Sequence, residues 1–186
     1  MINIISRDPG APPAEYIKVS GGIFKDMSIH DFDMARFLIG EEIETVMASA
    51  SVLVDKEIGE LGDFDSASII LTTASGRQCA ISNSRRATYG YDQRIEVHGS
   101  LGMVRAQNQR ETDIEIANGD GYTKPPLFDF FMTRYIAAYA AEISAFIASI
   151  AENSASSPGG KDGLASLIIA EAALKSVQEG RAIKIS

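Results

Sequence analysis

An aspartate and a histidine stand four residues apart in the stretch Gly21-Gly22-Ile23-Phe24-Lys25-Asp26-Met27-Ser28-Ile29-His30-Asp31-Phe32-Asp33-Met34-Ala35-Arg36-Phe37-Leu38. On a helix turning about 100° per residue, Asp26 and His30 share one arc with Met27, Met34, Phe37 and Leu38. Lys25, Asp33 and Arg36 fall outside that arc. Side chains at i and i+4 meet. A carboxylate that accepts a hydrogen bond from one imidazole nitrogen fixes the tautomer and leaves the other nitrogen free as an acceptor. It also stabilises the imidazolium that forms on proton uptake. Asp26 and His30 therefore carry what is needed to take a proton from a hydroxyl group. The same spacing serves a satisfied structural pair, and spacing alone does not separate the two.

Other chemistries find less support. His98 precedes Gly99-Ser100, where a strand end in solvent is expected. Two distant histidines and the single cysteine, Cys79, supply no set of metal ligands. There is no Gly-x-Ser-x-Gly motif for a serine nucleophile. Cys79 reads as a mid-strand core residue, and Arg85-Arg86 as a solvated pair at a strand end. No Gly-x-Gly-x-x-Gly follows a strand, and Gly59 and Gly62 sit in an acidic loop. No cofactor-binding residue is therefore assigned.

The elements that must hold the pair are legible from patterning. The 186 residues suit one domain, and 45% hydrophobic with 23% charged residues suits a packed core. A net charge of −8 repels nucleic acid and anionic lipid. The longest apolar candidate for a bilayer span, Tyr135–Ile150, is interrupted by Glu142. One cysteine and no signal-like start at Met1-Ile2-Asn3-Ile4-Ile5 fit a cytoplasmic protein. A proline-rich start, Arg7 to Pro13, leads to a short predicted strand, Tyr16–Val19. A helix is predicted over Phe24–Ile39, stopped by Gly40. Predicted strands cover Thr45–Val54, Ala67–Thr73, Gln78–Arg85, Arg94–Val97, Met103–Ala106 and Asp113–Ala117, with Ala74-Ser75-Gly76 as a hairpin turn. Helices are predicted over Phe130–Glu152 and Gly163–Glu179, the latter with Asp162 as N-cap and Gly180 as its stop. Ala182–Ile185 is a final strand. Together these predict an α+β domain, a largely antiparallel open sheet with helices on one face. Its bare face is expected to make a homo-oligomer.

The helix string resembles that of the glucose-fructose oxidoreductase/inositol dehydrogenase/rhizopine catabolism family, which carries an Asp-x-x-x-His catalytic pair. The resemblance continues through Asn83-Ser84-Arg85-Arg86-Ala87-Thr88-Tyr89-Gly90-Tyr91-Asp92-Gln93-Arg94, Gly99-Ser100-Leu101-Gly102 and Phe131-Met132-Thr133-Arg134-Tyr135. It reaches Asp162-Gly163, Ala170-Glu171-Ala172 and Gly180-Arg181, and so spans essentially the whole chain. Tyr89-Gly90-Tyr91-Asp92 is most similar to the inositol 2-dehydrogenase branch.

The resemblance implies the family's C-terminal domain, of glyceraldehyde-3-phosphate-dehydrogenase-like fold. His30 would be the general base and Asp26 its orienting partner, with Tyr89, Tyr91 and Asp8 binding a polyol such as myo-inositol. It further implies a tetramer through the open sheet and NAD as cofactor. The NAD would be held by an N-terminal Rossmann domain absent from this sequence, which would also bring a lysine in a Glu-Lys-Pro motif. The chain by itself is then expected to be inactive. A related sugar oxidoreductase, or a non-catalytic binding and assembly module, are the alternatives.

Overall fold

The computed structural model describes residues 1–185. Among the described residues nine strands form in chain order: β1 (Ile2–Arg7), β2 (Ile43–Ser51), β3 (Ser66–Thr73), β4 (Gln78–Ser84), β5 (Asp92–Gly99), β6 (Gly102–Ala106), β7 (Ile116–Asn118), β8 (Gly121–Thr123) and β9 (Ile183–Lys184). Seven build one sheet in the order β6-β5-β1-β4-β3-β2-β9, and β7 and β8 form a separate two-stranded ribbon. Every pairing is antiparallel except that of β1 with β4, which runs in parallel from Ile2 beside Cys79 to Arg7 beside Ser84.

The helical elements are α1 (Ala14–Ser20), a π-helical turn (Phe24–Ser28), α2 (Ile29–Ile39), α3 (Lys56–Glu60), α4 (Phe131–Arg134), α5 (Ile136–Ala151) and α6 (Gly160–Glu179). α6 lies on β2 and packs against α2 and the π-helical turn. One core forms between this layer and the sheet. Strand alternation sends Ile2, Ile4, Val46, Ala48, Ala67, Ile69, Leu71, Cys79 and Ile81 inward, where Phe24, Phe32, Ala35, Ile39, Ile169 and Ala173 meet them. On the opposite face Met47 and Ile70 stay exposed among serines. The predicted α+β class and the helices on one side of an open sheet are both observed.

Several local expectations need correction. Residues 16–19 are helical, because Tyr16 N and Ile17 N both donate to Pro13 O and start α1 instead of a strand. α6 begins at Gly160, and Asp162 sits inside its first turn, where Oδ2 accepts from Gly159 N at 2.8 Å. The predicted Phe130–Glu152 helix is broken at Tyr135 (φ −108°, ψ 17°), and its α5 portion buries no residue. Gly40 and Gly180 cap α2 and α6 in the left-handed conformation, as their positions predicted.

Candidate active site

Parallel pairing sets the C-terminal ends of β1 and β4 side by side. Asp8 N donates to Ser84 O at 3.0 Å, which brings Asp8 and Arg85 to the same end of the sheet. The π-helical turn reaches this end from the helical layer. Ser28 Oγ donates to Asn83 Oδ1 at 2.7 Å, and Asn83 Nδ2 donates to Asp31 Oδ2 at 2.7 Å. Ahead of the turn, Gly21 and Gly22 both have φ near +87° (86° and 87°), a reversal open to glycine. A Cβ on Gly22 would stand 3.0 Å from Asp63 Oδ1, the atom that accepts from Ile23 N at 2.9 Å. Asp63 thus fixes the head of the turn.

Asp26 lies within the turn, and both of its oxygens are engaged. Oδ1 accepts from the Tyr16 hydroxyl at 2.5 Å, and Oδ2 accepts from Arg85 Nη1 at 2.8 Å. Arg85 Nη2 reaches Asp63 Oδ2 at 3.3 Å. The hydrogen bond to Asp26 raises the Tyr16 hydroxyl above its ordinary value, so Tyr16 stays a donor. Burial pushes the Asp8 carboxyl up to about 6, against the opposing pull of Arg85 and with an added push from Asp26. Burial likewise raises Asp31 to about 7, with Asn83 pulling the other way. Tyr91 sets its ring edge-on to Tyr135 at 6.1 Å. Its hydroxyl is raised, first by burial, then by Tyr135 and Asp8.

His30 is exposed at the start of α2 and, among the described residues, makes no hydrogen bond or ion pair. The Asp26–His30 hydrogen bond that i, i+4 spacing predicted is not formed. A π-helical turn closes i→i+5 rings, so residues four apart no longer stack, and Tyr16 and Arg85 hold the carboxylate instead. The buried arc is displaced for the same reason. Met27, Ser28, Asp31, Phe32, Ala35 and Ile39 face the core, whereas His30, Met34 and Phe37 line an open side of α2.

The structure gathers Asp26, Asp8 and Tyr91, but it ties Tyr89 elsewhere. The Tyr89 hydroxyl donates to Asp92 Oδ2 at 2.5 Å and accepts from Arg7 Nη1 at 3.0 Å. Arg85 is a clear correction. Its side chain is 1% exposed and doubly paired, while only its neighbour Arg86 meets solvent. Lys25 turns away to Glu171 Oε1 at 2.6 Å. Tyr16, Asp63 and Tyr135 were missed. Their one sequence-level signal is their chemical type, since the contacts that give them meaning join remote segments.

Carboxyls, several hydroxyls and an exposed imidazole can read the hydroxyl pattern of a neutral ligand and accept a proton from it. Residues 1–185 match the family described as "Oxidoreductase family, C-terminal alpha/beta domain". The chain belongs to this family. Inositol 2-dehydrogenase of Rhizobium meliloti is 66% identical over 186 residues, which are all of this chain and 56% of that protein. A myo-inositol dehydrogenase from Corynebacterium glutamicum superposes with a TM-score of 0.96 at 42% identity, over 100% of this chain and 56% of that one. Scyllo-inositol dehydrogenase from Lactobacillus casei, with bound NAD(H) and scyllo-inositol, superposes at 0.88 and 27% identity, over 99% and 56%. The chain thus spans a little over half the length of these family members.

Proposed function

We propose that this chain is the substrate-binding and catalytic half of an NAD-dependent inositol 2-dehydrogenase, the C-terminal domain of a longer protein. The observation that carries the reading is His30, solvent-open and without a partner among the described residues, one turn from a carboxylate held ready by Tyr16 and Arg85. In this reading the ring hydroxyl of a polyol such as myo-inositol gives its proton to the free nitrogen of His30. Asp26 and Asp8 accept hydrogen bonds from neighbouring hydroxyls, and the Tyr91 ring, set edge-on to Tyr135, borders the substrate site. Tyr89 belongs to its margin, with its hydroxyl committed to Asp92.

The fold of this chain does not fit a dinucleotide. The C-terminal ends of its one parallel strand pair run into Asp8-Pro9 and Arg85-Arg86, without a Gly-rich turn opening a helix. NAD is therefore assigned to a nucleotide-binding domain elsewhere in the longer protein, where it supplies the hydride acceptor. The residues here supply the proton acceptor and the orientation. The identity to the Rhizobium enzyme supports inositol over another sugar.

The exposed sheet face, with Met47 and Ile70 amid Ser49, Ser68 and Ser82, supports self-association, and the tetramer is what the family resemblance implies. A single, buried, free cysteine supports a cytoplasmic setting. The direct test is His30→Ala in the longer protein. NADH formation from myo-inositol should fall by about 10²–10⁴-fold at an unchanged melting temperature. Retained turnover would refute the assignment.

A further inference from the structure

Within the site, Arg85 touches two carboxylates at once, Asp26 on the π-helical turn and Asp63 in the loop between α3 and β3. Asp63 spends its other oxygen on Ile23 N at the head of the π-helical turn. The path Ile23–Asp63–Arg85–Asp26 therefore closes a ring around that turn. Burying a guanidinium is costly unless its charge is matched, and here two carboxylates match it. Its Nε is buried without a partner, so the fork is set for the two carboxylates at the expense of full satisfaction. A lysine ammonium cannot span both sites with a planar pair of donors.

We propose that Arg85 is a positioning residue for this site. Its guanidinium ties the π-helical turn to the end of β4 and commits one Asp26 oxygen to the strand side, leaving the His30 ring free. The inference rests on the reading of Asp26 as a substrate-facing carboxylate. Beyond burial, two charges act on Asp8: Arg85, which lowers it, and Asp26, which raises it. Asp8 in turn raises Tyr16 on α1, Asp31 on α2 and Tyr91 before β5.

The test combines carbon-detected NMR titration of the Asp8 carboxyl in this chain with turnover of the longer protein on myo-inositol. Arg85→Gln should move the Asp8 midpoint upward by about one pH unit or more. It should also lower kcat by about 100-fold, with a much smaller change in KM. Arg85→Lys should restore the Asp8 midpoint and recover part of kcat. A folded Arg85→Gln chain with an unmoved midpoint, or with kcat within about twofold of the parent, overturns the proposal.

Where Arg85→Gln does not fold, Asp63→Asn takes its place, keeping an acceptor for Ile23 N and removing one charge. It should lower the Asp8 midpoint and reduce kcat about tenfold; no change in either overturns the proposal. A longer protein that forms no NADH from any polyol sinks the functional reading. The Asp8 titration then still decides the role of Arg85.

Discussion

Asp31 is a carboxyl that folding makes harder to ionise, and Asp31→Asn should expose the cost. Its side chain is 6% exposed, and its one hydrogen bond among the described residues comes from Asn83 Nδ2. Burial, the largest cause, raises it from the ordinary 3.8 to about 7. Below pH 3.8 both the folded and the unfolded chain hold the proton. Between there and about 7 the unfolded chain releases it and the folded chain does not, so stability falls as pH rises across that window. Above about 7 the loss is complete. At about 1.4 kcal/mol per pKa unit, the gap sets a ceiling of about 4 kcal/mol.

Asparagine has the same shape, accepts from Asn83 and never ionises. The variant should therefore match the parent near pH 4 and gain on it steadily up to pH 8. In a chain of this size the ceiling corresponds to about 10 °C in melting temperature. Thermal and urea unfolding of both proteins at several pH values between 4 and 8 would measure the difference. Titrations common to both proteins cancel in the comparison. A stability difference that stays flat across that range would refute the argument, because it would mean that Asp31 ionises as readily folded as unfolded.

Two further outcomes follow from single close contacts. Tyr16→Phe deletes the 2.5 Å hydrogen bond to Asp26 Oδ1 from a half-exposed position. Turnover on a polyol should drop about tenfold while urea stability changes by less than about 1 kcal/mol, and the reverse pattern would assign Tyr16 to the fold. Gly90→Ala places a Cβ 2.9 Å from Leu127 Cβ at a φ of +120°, and should cost about 1–3 kcal/mol in chemical denaturation. It should also weaken the near-ultraviolet signal of the adjoining Tyr91–Tyr135 pair, and an alanine variant of parental stability would contradict that packing.

The sheet was largely legible because alternation and turn chemistry act locally. Thr73 N donates to Arg77 O around Ala74-Ser75-Gly76, and Gly76 takes the positive φ its place required. Tyr16-Ile17-Lys18-Val19 misled because its residue types favour strands, while Pro13 O supplied acceptors that started a helix. The π-helical turn left no trace in a 100° periodicity. One wider turn was enough to rotate which residues face inward and to part His30 from Asp26. Asp26 was singled out by its spacing from His30 and Asp8 only by family resemblance. Arg85 was misjudged because strand-end arginines usually meet water, and only tertiary structure brings Asp26 and Asp63 to it from 59 and 22 positions away.

β1 lies between β4 and β5, so the first seven residues wedge into the middle of a sheet whose other neighbours are mostly close along the chain. Hairpins such as β3–β4 close cheaply, whereas inserting β1 requires a loop of more than 70 residues to be drawn shut. Local pairs should therefore assemble early and wait, with a gap where β1 belongs. Asp8 meets Arg85 only when that gap is filled. The pairing of β1 with β4 that sets Asp8 beside Arg85 should therefore be lost before the hairpins under denaturing stress.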